Sequence, residues 1–218
     1  MFSQHDEELA IVAHFAASLD CSKRFLDIGA ADGRTFSNTH QLALYGWSGT
    51  LIEPSSFMFT RLMDLYRNRP DLNLVNAAVG DYDGMLRFHE SRDFVSTSIE
   101  SHRELWDGAK SHVPEVGKID YQTCHVGTFT LDRLLNLFPG PYSMVNVDVE
   151  GANFGVFSSL LRFVDELGTE LVCVEFENRW SEMVNVAALK GFKVAHKTTE
   201  NIVFTRPVVL YRGELVAD

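Results

Sequence analysis

Cysteine is scarce in this sequence and is not paired. Cys21, Cys124 and Cys173 are the only three in 218 residues, far apart and with no C-x-x-C spacing. That pattern argues against a disulfide framework and a zinc-binding motif, and reads as the reduced thiols of a cytoplasmic protein. Positive charge is scarce as well: 19 Lys and Arg stand against 30 Asp and Glu, a formal net charge of -11. A nucleic-acid or anionic-membrane footprint needs a basic face, so neither partner is expected. No apolar run approaches the roughly 18 residues of a membrane-spanning helix. Met1 to Glu8 is acidic and lacks the basic start of a signal peptide. Repeats, low-complexity tracts and linkers are missing too, so residues 1–218 read as a single domain. Nothing in the sequence fixes an oligomeric state.

What is present is an alternation of strand-like and helix-like segments. An N-terminal helix is expected within residues 1–20, from about Asp6 to Leu19, with Ile11, Val12, Phe15, Ala16 and Leu19 at helical spacing. Arg24 to Ile28 reads as a strand that runs into a Gly-rich turn, followed by a helix over Thr35 to Tyr45. Thr50 to Ile52 is a second strand. Ser55 can cap a helix with Met58, Leu62, Leu65 and Tyr66 on one face. Leu72 to Val79 is a third strand. Three strand–helix units in a row imply an open, mostly parallel α/β sheet. Residues 82–128 break this rhythm and read as a variable insert. Within it, Met85 to His89 is strand-like and Trp106 to Lys118 is a polar loop. Order returns with a helix capped by Thr130, a strand over Ser143 to Val149, and a helix within Leu160 to Leu167. A strand at Leu171 to Glu175, a helix at Trp180 to Leu189, and a hairpin of Phe192–His196 with Ile202–Thr205 complete the pattern.

The first strand delivers Asp27-Ile28-Gly29-Ala30-Ala31-Asp32-Gly33. Glycine in such a turn permits backbone angles and close approaches that a Cβ blocks. In dinucleotide-binding folds this turn holds a pyrophosphate. Here the third glycine of that fingerprint is missing and Asp32 sits inside the turn, an arrangement that suits a cationic ligand instead. Glu53 closes the second strand, where an acid accepts the hydroxyls of a ribose. Asn76-Ala77-Ala78-Val79-Gly80 at the exit of the third strand offers small residues and an amide beside an aromatic ring.

In order and spacing these blocks resemble the FkbM family of methyltransferases. The resemblance runs through Leu26–Gly33, Gly49–Ser55, Asn76–Gly80, Thr130–Leu134, Val147-Asp148-Val149-Glu150-Gly151 and Asn201–Phe204. It implies a Rossmann-like class I methyltransferase fold: a mostly parallel seven-stranded sheet, last strand antiparallel, helices on both faces. It also implies S-adenosyl-L-methionine as cofactor, lined by Asp27, Gly29, Asp32, Gly33, Glu53 and Asn76; Ala30, Pro54 and Ala77 beside them, and Asp148 at a neighbouring strand end, are further cofactor-binding candidates. The implied reaction is methylation, usually at oxygen, of a small hydroxylated metabolite, sugar or glycan. The sequence departs from the family in Ala31-Asp32-Gly33, where Asn-x-Gly is common, and in Asn146, where a lysine is common.

Strand alternation puts Asn146, Asp148 and Glu150 on one side at the edge where α/β proteins bind ligands. Asp148 and Glu150 are therefore the catalytic candidates, with Glu175 and Glu177 a second acidic pair nearby and no metal expected. His89 and His125 are alternative bases. Phe94–Ile99 mixes hydroxyls with apolar side chains and reads as an acceptor-side wall or lid. The rival readings are an NAD-dependent oxidoreductase, disfavoured by the missing glycine and by Asp32, and a non-catalytic fold-alike that binds a nucleoside.

Overall fold

The computed structural model describes residues 1–18 and 20–206; Leu19 and the last twelve positions of the expected domain lie outside the described residues. The chain begins with α1 (Glu7–Ala17), continues through β1 (Arg24–Ile28), α2 (His40–Leu44) and β2 (Ser48–Ile52), and then forms α3 (Ser56–Tyr66). The Ser55 side chain caps α3 by accepting the Met58 amide. β3 (Leu72–Val75), β4 (Ala78–Gly80), β5 (Gly84–Glu90), α4 (Glu100–Trp106) and β6 (Gln122–Thr130) follow. Thr130 caps α5 (Leu131–Leu137), which leads to β7 (Met144–Val147), α6 (Asn153–Leu160), β8 (Leu171–Glu175), α7 (Trp180–Ala188), β9 (Lys193–Lys197) and β10 (Asn201–Thr205).

Seven strands form one sheet in the order β3-β2-β1-β7-β8-β10-β9. β1, β2, β3, β7 and β8 are parallel, and β10 runs antiparallel to both its neighbours. The strands bury both faces, so they read as nearly continuous apolar runs. Leu26, Ile28, Val145, Val147, Val172, Val174 and Phe204 face α5, α6 and α7. Phe25, Leu51, Met144, Cys173 and Val203 face α1, α2 and α3 on the other side. Each such side chain contributes about 1.5–3 kcal/mol on burial. The seven-stranded sheet with helices on both faces is the architecture expected from the sequence. A second, three-stranded sheet, β4-β6-β5, is built from the insert.

Several boundaries differ from expectation, each for a local reason. The helix expected over Thr35 to Tyr45 starts only at His40. Asp32 accepts the amides of Arg34 and Thr35, Phe36 has φ 60°, and the Ser37 hydroxyl accepts the amides of Thr39 and His40. The third strand splits at Asn76-Ala77, where the Asn76 amide turns to the carbonyls of Glu53 and Pro54 (2.8 and 3.2 Å); the residues after it join the smaller sheet. The helix expected within Leu160 to Leu167 lies one step earlier, as α6. Leu160, Leu161, Val164 and Leu167 are buried as their spacing suggests, on a chain of successive turns. The polar stretch Trp106 to Lys118 is not an open loop. Its Ser111 hydroxyl and His112 amide bind the buried carboxylate of Asp93, and Val113 packs into the interior. Among the described residues no helix is long and apolar enough to cross a membrane, and all three cysteines are free.

Candidate active site

The carboxyl ends of β1, β2 and β7 meet at one edge of the sheet, and a cavity of about 1020 Å³, counting its open mouth, lies over them. Its floor is Asp27, Gly29, Ala30, Glu53, Pro54, Asp148 and Glu150, with Ala77 and Val79 along one side. These are the sequence-derived candidates that the fold brings together. Asp32, Gly33 and Asn76 stand off the wall. Asp32 spends its oxygens on Arg34, Thr35 and the Thr35 hydroxyl at 2.7–2.9 Å. Gly33 leaves room for Leu62 and Tyr66 of α3. Asn76 ties the β2 exit to the β3 exit. An acid in a glycine turn was read as a ligand group; its local amides are nearer claimants, as is usual for Asp in turns.

Gly29 fixes how closely β1 and β7 approach. Its φ is +89°, and an ideal Cβ there would fall 1.7 Å from the Asp148 carbonyl oxygen. The Asp148 amide donates to the Ile28 carbonyl at 2.9 Å, and the Gly29 and Ala30 amides donate to the Ile52 carbonyl. Beneath the turn, Asp27 is buried, accepting from the Thr39 hydroxyl (2.5 Å) and the Asn146 amide (2.9 Å). Each Asp27 oxygen thus carries one donor from the protein. Asn146, where the resemblance leads one to expect lysine, is part of that buried network and also accepts from Asn38 at 3.0 Å.

Glu53 and Asp148 are differently placed. The Glu53 oxygens accept the amides of Ala31 (2.8 Å) and Ser55 (2.7 Å). A carboxylate offers about four lone-pair sites, so acceptor capacity remains toward the cavity. One Asp148 carboxyl oxygen is buried without a partner. Val149 to Gly151 turns sharply, with Glu150 at φ 49° and Gly151 at φ 98°. That turn is pinned from below: the Val149 amide donates to Asn153, and the Gly151 amide to Glu177. Asn153 also donates to Glu175 at 2.6 Å. Four non-glycine residues at these strand exits, Ala31, Glu150, Glu177 and Asn178, have positive φ. Strain of this kind gathers at functional sites.

Carboxyls crowd this edge, and burial raises their proton affinity. Desolvation pushes Glu53 up to about 8, against the pull of the Ser55 and Ala31 amides. Asp148 rises to about 7 through burial and then the charges of Asp27, Glu177 and Glu200. Glu175 rises to about 10 through burial and then Asp148 and Glu150. A proton held by the folded chain and not by the unfolded one lowers stability by about 1.4 kcal/mol per pH unit as pH rises. The window runs from the ordinary carboxylate range up to the raised values, so the ligand-free protein is expected to lose melting temperature between pH 7 and pH 9. Glu175→Gln, which keeps an acceptor for Asn153, is expected to flatten that fall; circular-dichroism melts across the range check it, and identical slopes would remove Glu175 as a cause. Among the described residues no three His, Cys, Asp or Glu side chains are grouped to hold a metal ion.

The far wall comes from the insert: Leu86 and Phe88 of β5, then Asp93, Phe94, Ser96 and Ser98. The last three lie in the segment expected to face an acceptor. Thr35, Phe36, Met58 and Asp93 also line the cavity without having been singled out. Met58 belongs to the first turn of α3, where its helical spacing signalled core. Phe36 stacks edge-on against Phe94 at 5.3 Å between ring centres, a contact that no local pattern encodes. Neither His89 nor His125 lines the cavity. His89 is buried between the strands with its ring near Glu100 (3.0 Å), and His125 is exposed on β6.

Strand order, the single reversed strand and a cavity at the carboxyl edge define a class I methyltransferase architecture. The chain belongs to the FkbM methyltransferase family: the Methyltransferase FkbM domain matches residues 27–200. Among solved structures it is similar to monomeric WbdD (TM-score 0.51, 10% identity), covering 94% of this chain and 41% of that one. Weaker likenesses include the Methanococcus jannaschii fibrillarin pre-rRNA processing protein (0.48, 11% identity, 93% and 76% covered). Another is the magnesium protoporphyrin IX methyltransferase ChlM from Synechocystis PCC 6803, solved with bound SAM (0.43, 12% identity, 92% and 79% covered). No curated protein sequence matches the chain.

Proposed function

We propose that this methyltransferase uses S-adenosyl-L-methionine and methylates an oxygen of a small hydroxylated metabolite, sugar or glycan. The observation that carries this reading is the pairing, on one cavity floor, of Glu53 with free acceptor capacity and Asp148 with an unpartnered buried oxygen. The residues fit such a cofactor. Glu53 can accept both hydroxyls of a ribose, as an acid at this strand end does in related folds. Asp148 offers negative charge to a cationic sulfonium or ammonium in a poorly solvated place, where it counts for most. Gly29 and Ala30 allow close backbone approach, and Ile52, Met58 and Val79 supply apolar surface for a purine. Small-molecule sites are concave and largely apolar, with a few polar groups that fix orientation; this cavity has that make-up, its carboxyl floor facing the apolar and hydroxyl side chains of the insert.

When bound, the cofactor supplies an electrophilic methyl on a sulfonium whose leaving group is a neutral thioether. The protein has then to place an acceptor oxygen in line, for which positioning is worth up to about 7–11 kcal/mol. It must also take the hydroxyl proton. Phe36, Phe94, Ser96 and Ser98 form a wall of rings and hydroxyls against which such an acceptor can lie. Glu150, on the floor, touches the insert through Thr97 and His102, and Asp148 lies two residues before it on the strand exit.

Titration calorimetry with S-adenosylhomocysteine is expected to show a single site. Silence up to about 1 mM, a binding free energy of only roughly -4 kcal/mol, would remove the cofactor from the proposal. Transfer of labelled methyl into pooled hydroxylated acceptors, and into ester-stable ether products, tests the oxygen chemistry. Label found only on nitrogen or carbon would contradict it.

A further inference from the structure

His102 stands on α4, inside the insert, far along the chain from the strand exit it touches. Its Nε2 lies 2.7 Å from Glu150 Oε2. The two are in contact, yet the imidazole nitrogen is buried without an aligned hydrogen bond. Long or misaligned bonds of this kind are common between catalytic groups before substrate arrives, and tighten in the loaded complex. The surroundings hold the pair together. The Thr97 hydroxyl donates to the Glu150 carbonyl at 2.6 Å and also receives the Ile99 amide. A Cβ on Gly151 would come within 3.0 Å of Ile99 and 3.2 Å of His102, so glycine there lets residues 97–102 seat on the turn. Glu150 lines the cavity; His102 lies behind it.

We propose that Glu150 and His102 form an acid–base unit in which Glu150 accepts the acceptor's hydroxyl proton and His102 positions Glu150 and balances its charge. This rests on the oxygen-methylation reading above. In the step, the acceptor oxygen forms a C–O bond as the methyl–sulfur bond breaks. The bonding pair leaves with sulfur, which becomes a neutral thioether, and the hydroxyl proton goes to Glu150. The sulfonium's positive charge thus leaves the site as that one proton, through Glu150 and His102 to solvent. Glu150 is the catalytic residue, since it faces the acceptor; His102 is a positioning residue.

The electrostatics explain why Glu150 needs such a partner. Burial, then the carboxylates of Asp148 at the β7 exit, Glu177 after β8, Glu200 in the β9–β10 turn and Glu53 after β2, raise its proton affinity well above the usual range. Tyr121, ahead of β6, also faces it, and is itself pushed up by burial and then by Glu150. A carboxyl so placed gives up its proton reluctantly, so a base here needs a neighbour that favours the charged form. His102 is the one basic side chain paired with Glu150 among the described residues. Burial drives His102 toward its neutral form, and the charges of Glu177 and Asp148 oppose that. Burial is the larger effect, so in the ligand-free protein the ring leans neutral and is free to take up the proton that Glu150 receives.

Nuclear magnetic resonance titration of the His102 ring in the full-length protein tests the pairing. An opposite charge in contact moves a titration midpoint by about one unit or more, so Glu150→Gln is expected to lower the His102 midpoint by at least that much. Where Glu150→Gln fails to fold, the reciprocal measurement serves: the Glu150 carboxyl carbon is expected to titrate about one unit higher in His102→Asn. An unmoved midpoint in either experiment overturns the pairing. With acceptors that take label, the acid limb of kcat is expected to shift upward in His102→Asn; a limb that stays in place, with only the amplitude changed, reduces His102 to a structural residue and overturns its role. Binding of S-adenosylhomocysteine to the wild type separates the two levels. If it binds and the midpoints do not move, only the pair is wrong; if it does not bind, the catalytic assignment falls with the function beneath it.

Discussion

Glu53→Ala is expected to weaken S-adenosylhomocysteine binding by about 100-fold, close to 2.8 kcal/mol, with the fold intact. The magnitude follows from two hydrogen bonds to an ionised acceptor, each worth about 1.5–3 kcal/mol net, discounted because water can enter the emptied corner. The carboxylate now anchors the Ala31 and Ser55 amides, so the loop under the ligand loosens as well. Alanine is a cleaner test than glutamine. Each Glu53 oxygen faces a backbone N–H, and an amide would set its NH2 group against one of them, donor to donor. Some melting temperature is expected to be lost, because the Ala31 and Ser55 amides are left without their acceptor, about 1–3 kcal/mol for each donor that water does not reach. The wild-type affinity is also expected to rise with pH as Glu53 ionises through about pH 8, and the alanine variant should lack that part of the rise. Calorimetry from pH 6.5 to 9.5 reads both effects. An unchanged affinity would take Glu53 out of the ribose-binding role.

The fold was legible wherever a segment's own pattern decided its structure. β8 is Leu171–Glu175 as expected, because a run of buried apolar residues in a parallel sheet has one reading. α3 and α5 begin at Ser55 and Thr130, whose side chains cap them. The insert was less legible because its elements depend on distant partners. β6 is mostly polar and exists because it pairs with β5 along its length and with β4 beyond. α4 has no fully buried residue to announce it. Glu7 shows the same limit. An acid in a first helical turn suits the helix dipole and needs no other partner, yet Glu7 is fully buried and accepts from Thr198 and Asn201, docking α1 on the β9–β10 turn.

The site divides along the same line. Acids at strand exits, Glu53, Asp148 and Glu150, could be placed because the carboxyl edge of a parallel sheet is where ligands bind. His102 could not, since its partner Glu150 is brought to it only by the packing of the insert on the β7 turn. Family membership and the sheet account for a methyl-transfer site; the insert, which the sequence marked only as irregular, supplies the surface that would select the acceptor.

Gly29→Ala is expected to cost about 2–6 kcal/mol, combining backbone strain of about 1–3 kcal/mol with overpacking of similar size. That is a large part of the ~5–15 kcal/mol that holds a domain folded. The clash is with backbone: the new Cβ would sit 1.7 Å from the Asp148 oxygen and 2.7 Å from its carbonyl carbon. No rotamer change relieves it. β1 and β7 would have to part where the Asp148 amide donates to the Ile28 carbonyl, which moves Asp148 away from the cavity floor. Gly46→Ala is the matched control. Gly46 also has positive φ, +81°, but nothing lies within 4 Å of its missing Cβ, so alanine there carries only the conformational cost of about 1–2 kcal/mol. For a chain of this size about 2–4 °C of melting temperature accompanies each kcal/mol. The control is therefore expected to melt a few degrees below wild type and Gly29→Ala about 10 °C or more below it, with S-adenosylhomocysteine binding lost in the second variant alone. Equal melting temperatures in the two variants would mean that the turn relaxes freely, and that the close contact between Gly29 and Asp148 does not set the shape of the site.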